Sequence, residues 1–425
     1  MRARGVVIVV IVAAAIAAFA GSTAADPPVP LIGVTYTHTS VANCDLNANG
    51  IVQHYDRPGM RRLVRTQLAA MHAAGIQTIR ILLWNMSDIT GQDWGVIPSA
   101  NGLVEPYRSN LIRFVSDVRA AGFDLLTVHF SPQWTNDPIG TYGPNGLTAD
   151  EWDPAKFDEN WNFISQVHQV VTQYGPPSTH FDILSEGPPT KYQPAYIVAR
   201  LENYITEMYS RYVDAFGSHD VTVTTIGDLS QPDRLGNLLN ALRASGKPMP
   251  DWFEVHGPWT SPDLYNVLVL FNRVLDDYGL TTQPLVVGES SYENPDAAGD
   301  IARFETDTGR PVSEVYEWWS TTHGGQCFSA PYRADAYISA LTNRPVPPPT
   351  PDPLPLLPIP VLHALVRANG TTTFTQSSGA ALSALDAGVY TVDVTDRSRR
   401  AGFLLAVLSS PGTPAGASPA AASGT

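Results

Sequence analysis

From residue 31 the chain alternates short runs of β-type apolar residues with helix-length stretches whose apolar residues recur every three to four positions. Residues 31–37 are the first run. The pattern after it predicts a helix with Asp56 as cap, Pro58 in the first turn, and Met60, Leu63, Val64, Leu68 and Met71 along one face. Ala73-Ala74-Gly75 ends that helix, Gly75 suiting a left-handed C′ position, and residues 76–84 read as a buried strand. The same grammar returns about 47 residues later. There Leu111, Phe114, Val115 and Val118 line a helix, Ala120-Ala121-Gly122 stops it, and residues 123–130 form the next strand. Further strands are expected at 180–186, 221–228, 252–256, 284–289 and 315–319, with helices near 154–173, 193–215, 233–244, 262–278, 297–307 and 331–342.

Eight such βα units predict a parallel sheet covered by helices, of class α/β. Eight units in about 315 residues favour a closed (β/α)8 TIM barrel over an open doubly wound sheet. No Gly-rich phosphate loop follows the first strand, which counts further against the open nucleotide-binding form.

The flanks read differently. Arg2 and Arg4, an apolar run over 6–20 and the small residues Ser22-Thr23-Ala24-Ala25 mark 1–25 as a signal peptide, so the chain is expected to be secreted, with no membrane contact after cleavage. The barrel then occupies 26–343. Residues 344–360 hold nine prolines and form an extended linker. Residues 361–408, with strand-like stretches at 371–374, 388–394 and 403–407, read as a small all-β, sandwich-like C-terminal domain. The Ala-, Gly-, Ser- and Pro-rich residues 409–425 read as a disordered tail.

Composition narrows the function. The formal net charge of −14, from 40 acidic and 26 basic residues, argues against nucleic acid as a partner. Two cysteines cannot build a disulfide scaffold or a four-thiolate zinc site. Cys44 follows the first strand and Cys327 the eighth, neighbours only in a closed barrel, so a disulfide between them is expected in an exported protein.

Catalytic groups of a parallel barrel sit where its strands end. Those positions hold Arg80, Trp84 and Asn85, then His129, Glu186, Asp228, His256 and Glu289, and finally Trp318 and Trp319. Glu186 and Glu289 end strands 4 and 7, on opposite sides of a barrel of eight. Glycosidic cleavage needs one carboxylic acid to protonate the leaving oxygen and one carboxylate to attack or to activate water, and this pair can supply both. Trp84, Trp134, Trp259, Trp318 and Trp319 offer indole faces for sugar stacking. Arg80, inside an apolar strand, is expected to keep Glu289 ionised, and Glu186 is expected to be held protonated near neutral pH.

Taken in order, these segments resemble the retaining glycoside hydrolases of clan A, similar to glycoside hydrolase families 5 and 39. Ala74-Gly75-Ile76-Gln77-Thr78-Ile79-Arg80-Ile81 is similar to the family 5 second strand, and Leu126-Thr127-Val128-His129 to its third. The resemblance, over residues 31–343, implies a double-displacement route with Glu186 as acid/base and Glu289 as nucleophile. It also implies that Arg80, Trp84, His129, Ser185, His256, Trp318 and Trp319 bind the substrate. The partner is then a carbohydrate, with no cofactor and no metal, and the chain is expected to be a monomer. Two departures stand out: Ser185 replaces the usual Asn before the acid/base, and His256-Gly257-Pro258 replaces His-x-Tyr. The C-terminal module resembles small appendages of exported proteins and implies cell-wall contact. The alternatives are a non-catalytic sugar-binding barrel, and a metal-dependent hydrolase using His38, His129, His256 and Asp228.

Overall fold

The structure, a computed structural model, describes residues 29–39, 50–86, 96–99, 102–132, 136–140, 151–188, 193–257, 263–290, 295–318, 335–342, 361–367, 372–376, 391–396, 408–410 and 413–414. Nine parallel strands in one sheet fill eight positions. They are β1 (Leu31–Thr35), β2 (Thr78–Leu82), β3 (Leu125–His129), β4 (Ser178–Asp182), β5 in two pieces (Val221–Thr222 and Thr225–Ile226), β6 (Phe253–His256), β7 (Leu285–Ser290) and β8 (Val312–Glu317). The order runs from the first piece of β5 through β4, β3, β2, β1, β8, β7 and β6 to its second piece. Only Val223 and Thr224 separate those two ends, so the sheet curls round on itself: Val221 and Thr222 lie beside Phe181 and Asp182, Thr225 and Ile226 beside Val255 and His256. β1 and β8 are neighbours, with Leu31 opposite Glu314 and Val34 opposite Glu317. Helices α1 (Met60–Ala73), α2 (Tyr107–Ala120), α3 (Pro154–Tyr174), α4 (Ala195–Phe216), α5 (Asp233–Ala244), α6 (Asp263–Asp277), α7 (Pro295–Thr308) and α8 (Asp335–Thr342) follow the strands in turn. This is the expected α/β, TIM-barrel-like architecture.

Apart from the start of β4, where Ser178 is exposed, the strands are largely buried on both faces, and the two faces differ in chemistry. Ile79 and Ile81 of β2 and Leu126 and Val128 of β3 join Leu68 and Met71 of α1 and Phe114 and Val118 of α2 in one apolar core. Each such side chain contributes roughly 1.5–3 kcal/mol by leaving water. The residues that alternate with them point into the ring and are polar: Thr78 and Arg80, Thr127 and His129, Glu254 and His256, Glu314 and Tyr316, all buried. Buried polar groups need partners, and the Tyr316 hydroxyl finds three: Thr78 Oγ1 at 2.9 Å, Thr127 Oγ1 at 2.8 Å and Glu314 Oε2 at 2.8 Å. Gly33 makes room for this cluster, since a Cβ there would fall 2.5 Å from the Tyr316 ring and from Thr78 Cγ2.

Several local expectations change. α1 begins at Met60 with Gly59 (φ 87°) as its cap, and Asp56 accepts from Asn110 Nδ2 instead. Gly75 and Gly122 take the left-handed conformation foreseen for a helix end, at φ 92° and 95°. β4 stops at Asp182, four residues before the expected end, because the Asp182 carboxylate draws in the Leu184 N–H (3.1 Å) and the Thr224 N–H (3.1 Å). The same bond to Thr224 interrupts β5. β8 starts at Val312 and ends just before Trp318.

Toward the C-terminus, Val361–Val366 pairs antiparallel with Thr372–Gln376 and parallel with Thr391–Asp396. Leu408–Ser410 pairs with Thr413–Pro414. Residues 1–28, Cys44, Trp134, Trp259, Trp319, Cys327 and the expected strand 403–407 lie outside the described residues.

Candidate active site

Arg80 stands at the centre of the polar ring and is wholly buried. Its Nε donates to His129 Nε2 at 2.8 Å and its Nη1 to Thr35 Oγ1 at 3.1 Å. Its Nη2 lies 2.6 Å from His256 Nε2, and its Nη1 is 3.5 Å from Glu289 Oε1. The guanidinium thus touches both imidazoles, whose rings are stacked with centroids 5.8 Å apart. His129 is held from its other side by Asp182 Oδ2, 2.9 Å from Nδ1. His256 Nδ1 is shared by the two glutamates, 2.7 Å from Glu186 Oε1 and 3.2 Å from Glu289 Oε1. One oxygen of Glu186, one of Glu289 and a nitrogen of His256 all lie within 4.8 Å of one another. The two carboxylates predicted from the strand ends therefore converge.

Each glutamate reaches this point through a backbone irregularity. Glu186 sits not on β4 but in the turn after it, at φ 57°, as the single non-glycine residue with positive φ among those described. A left-handed conformation at such a residue costs about 1–3 kcal/mol and marks sites where strain has a use. The Asp182 carboxylate on Leu184 N–H and the Ser185 N–H on Phe130 O at 2.8 Å hold that turn in place. Glu289 is turned inward by a β-bulge. β7 pairs with β6 as Val287 to Val255 and then Glu289 to His256, leaving Gly288 as the extra residue. Val286, packed with Trp252 and Tyr316, already faces the ring, so without the bulge Glu289 would face the helices.

The electrostatics reverse one expectation. Burial drives the Glu289 carboxyl upward, the Glu186 charge adds to this, and His256, Arg80 and His129 do not fully offset them, so its pKa is raised. Glu186 also pays for burial, but the hydrogen bond and charge of His256, with Arg80 and Arg234, outweigh it, and its pKa is lowered. Arg80 does not outweigh burial at Glu289 because it approaches that carboxylate no closer than 3.5 Å and lies as near to another, Glu254. His256 is pushed up to about 10: burial and Arg80 oppose charging, while Glu289, Glu186 and Glu254 favour it more strongly.

The other expected residues are distributed as follows. Ser185 Oγ is 3.4 Å from His129 Nδ1. Trp318 is half-buried at the end of β8, its ring 5.7 Å from the Arg80 guanidinium carbon. Trp84 is half-buried against the apolar core. Asp228 accepts from Ser230 N–H (2.8 Å) and Gln231 Nε2 (2.6 Å), the bonding of a turn cap. Two site residues escaped the sequence reading, Asp182 and Glu254. Glu254 is fully buried, with Oε1 3.1 Å from His129 Nε2 and 3.5 Å from Arg80 Nε and His256 Nε2. The signal for it was the two-residue spacing to His256, which puts both on one face of β6.

Two groups have ligand atoms close enough for a metal ion, His129 with Glu254 and His256, and Glu186 with His256 and Glu289. In the first, the permanently charged Arg80 already lies against the histidine nitrogens, at 2.6 Å from His256 Nε2 and 2.8 Å from His129 Nε2, and in the second it stands 3.5 Å from Glu289 Oε1. A cation would face a guanidinium in contact, so the donor set suits protons. His38 and Asp228, needed by the metal-hydrolase alternative, belong to neither group among the described residues.

No protein-family model matches the chain, and no curated protein matches it. Solved structures do resemble it. A β-1,4-D-mannanase from Cryptopygus antarcticus is 14% identical with a TM-score of 0.47, over 74% of this chain and 89% of the mannanase. A glycoside hydrolase 5 lichenase from Caldicellulosiruptor sp. F32 is 14% identical with a TM-score of 0.45, over 73% and 92%. A homocysteine methyltransferase from Escherichia coli is 13% identical with a TM-score of 0.40, over 74% and 95%. A likeness of this degree extends over different activities and assigns none.

Proposed function

We propose that the chain is a secreted glycoside hydrolase that cleaves O-glycosidic bonds of a poly- or oligosaccharide with retention. The observation that carries this reading is the approach of Glu186 and Glu289 within 4.8 Å across the ring, with His256 between them. Retention calls for carboxyl groups about 5–5.5 Å apart, whereas inversion needs about 6.5–9.5 Å to admit a water. A barrel that only bound sugar would have no use for two opposed carboxylates sharing an imidazole.

Glu289 acts as nucleophile, being the more deeply buried and standing beside Arg80. Glu186, with 27% of its side chain exposed against 9% for Glu289, is the one that reaches water. In the first step the Glu289 carboxylate attacks the anomeric carbon and Glu186 passes its proton to the departing oxygen. In the second Glu186 takes a proton from water, whose oxygen displaces Glu289. With no substrate bound the pair's proton favours Glu289, so it must sit on Glu186 when the sugar binds. His256 Nδ1, in contact with both, is the route. Trp318 offers a stacking face at the same end of the ring.

The exported form begins after residue 25, is a monomer, and carries 344–360 as a spacer to a small β domain at 361–408 that touches the cell wall. The adjacency of β1 and β8 supports a Cys44–Cys327 bridge, which peptide mapping of the exported protein tests. The activity itself is tested by offering the purified protein a panel of glycans and aryl glycosides and following the anomeric proton of the first product by NMR. Retention of configuration is expected, and an inverted first product or no hydrolysis of any glycan overturns the reading.

A further inference from the structure

A third carboxylate lies beneath the catalytic pair, where neither glutamate reaches. Glu254 is fully buried on β6, and an unpaired carboxylate there would cost several kcal/mol. Its Oε1 faces three nitrogens from three strands: Arg80 Nε at 3.5 Å, His129 Nε2 at 3.1 Å and His256 Nε2 at 3.5 Å. The fold reserves space for it. A Cβ on Gly288, the bulge residue of β7, would fall 1.8 Å from Glu254 Oε1. The bulge that turns Glu289 inward thus also leaves the gap that Glu254 fills.

The contact between Arg80 Nη2 and His256 Nε2, at 2.6 Å, has two possible forms. If Nε2 is bare it accepts from the guanidinium, and His256 is neutral with its one proton on Nδ1. If Nε2 carries a proton, the two donors cannot stay at 2.6 Å, and the contact must open toward an anion that both can reach. Glu254 Oε1, 3.5 Å from Arg80 Nε and from His256 Nε2, supplies it. We propose that Glu254 is a positioning residue, the buried counterion shared by Arg80 and His256, which holds His256 as imidazolium and through it sets the ionisation of the Glu186–Glu289 pair.

The surrounding charges agree. His256 meets Glu186 from the turn after β4, Glu289 from β7, Arg80 from β2 and Glu254 from its own strand, with His129 of β3 stacked on it. Asp182 of β4 pairs with His129, and Arg234 of α5 acts on Glu186 from outside. Below, His180 of β4 is paired with Glu314 of β8, on which the Tyr316 hydroxyl also rests. Carboxylates outnumber the fixed cations around His256, which favours its charged form. The Glu254 carboxyl is itself held far below the usual range, because His129, His256 and Arg80 beside it overcome the cost of burial.

The consequence for the reaction rests on the glycosidase reading, but the protonation state of His256 can be measured without it. Nitrogen-15 NMR of histidine-labelled full-length protein, with His256 identified by its loss in His256→Gln, follows the imidazole directly. The wild type is expected to keep His256 doubly protonated through neutral pH. Glu254→Gln is expected to lower its titration midpoint by two pH units or more, and Glu254→Asp, which keeps the charge, to restore most of that shift. The alkaline limb of kcat/KM should move down with the midpoint. A midpoint unchanged in folded Glu254→Gln overturns the proposal, and so does a wild-type midpoint near 6.5, which needs no variant to fold. A wild type that hydrolyses no glycan while His256 titrates as expected would instead overturn the glycosidase reading and leave the counterion in place.

Discussion

At the scale of single residues, the site depends on two carboxylates that cannot be exchanged for each other. Glu186 is strained, partly exposed and bonded to His256, whereas Glu289 is buried and reaches Arg80 only at 3.5 Å. Replacing Glu289 by Gln removes the nucleophile, so turnover of every substrate should fall by at least about 10⁴-fold. Replacing Glu186 by Gln should cost about 10²–10⁴-fold on substrates with poor leaving groups. It should cost far less in the first step for dinitrophenyl glycosides, which need little protonation to depart. Azide, which requires no general base, should then rescue Glu186→Gln and give a glycosyl azide of the substrate's own configuration. Near-wild-type rates for Glu289→Gln, or an azide product of opposite configuration, would show the two roles misassigned.

At the scale of elements, β7 shows what one residue can control. Gly288 is the extra residue of a bulge, and its missing Cβ is the space taken by Glu254. Gly288→Ala should therefore displace Glu254 or widen β7, destabilising the fold by about 1–3 kcal/mol. It should also lower kcat more than it raises KM, because Glu289 loses its aim while the sugar surface is untouched. Unchanged kcat in a protein of unchanged denaturation midpoint would remove the bulge from the argument.

The same strand explains what could be read from the sequence and what could not. Alternation of apolar runs with amphipathic stretches located the eight strand positions of the barrel and the long helix after each, because a parallel barrel sets its mostly buried strands apart by helices. It did not show the short helix Ile51–His54 or the strand pair Trp84–Met86 and Val96–Pro98. Glu186, Glu289, Arg80, His129 and His256 were legible as polar residues ending apolar runs. The bulge was not, since Leu285-Val286-Val287-Gly288-Glu289 reads as an unbroken strand, and only the glycine hints at an extra residue. Glu254 was missed for the opposite reason. Phe253-Glu254-Val255-His256 alternates like a strand with one wet face, and nothing in the spacing says that the polar face points into a closed ring. The pKa order of the glutamates was lost likewise, because it depends on how near Arg80 lies to Glu254 as well as to Glu289.

At the scale of the whole molecule, buried histidines pull stability in two directions as pH changes. His256 is raised to about 10 in the fold from an ordinary 6.5. Its contribution is fully present below pH 6.5 and is lost as pH rises toward 10. His38, almost wholly buried beside β1, is the reverse case: desolvation lowers it to about 3. A histidine kept neutral by the fold stabilises above pH 6.5, and that contribution is lost as pH falls through the interval down to 3, because the unfolded chain takes up the proton first. Each pH unit in that interval is worth about 1.4 kcal/mol, so at pH 4.5 His38 alone should cost the fold roughly 2.5 kcal/mol relative to pH 7. Carboxylates throughout the molecule titrate over the same range, and the comparison must cancel them. Denaturant unfolding of wild type and His38→Gln at pH 7 and at pH 4.5 does so, because the two proteins share every other group. His38→Gln should be the less stable at pH 7, where it gives up a packed imidazole, yet should lose about 2.5 kcal/mol less than wild type on moving to pH 4.5. If both proteins lose the same amount, His38 is not held neutral, and the acid limb of stability belongs to the carboxylates of the barrel interior.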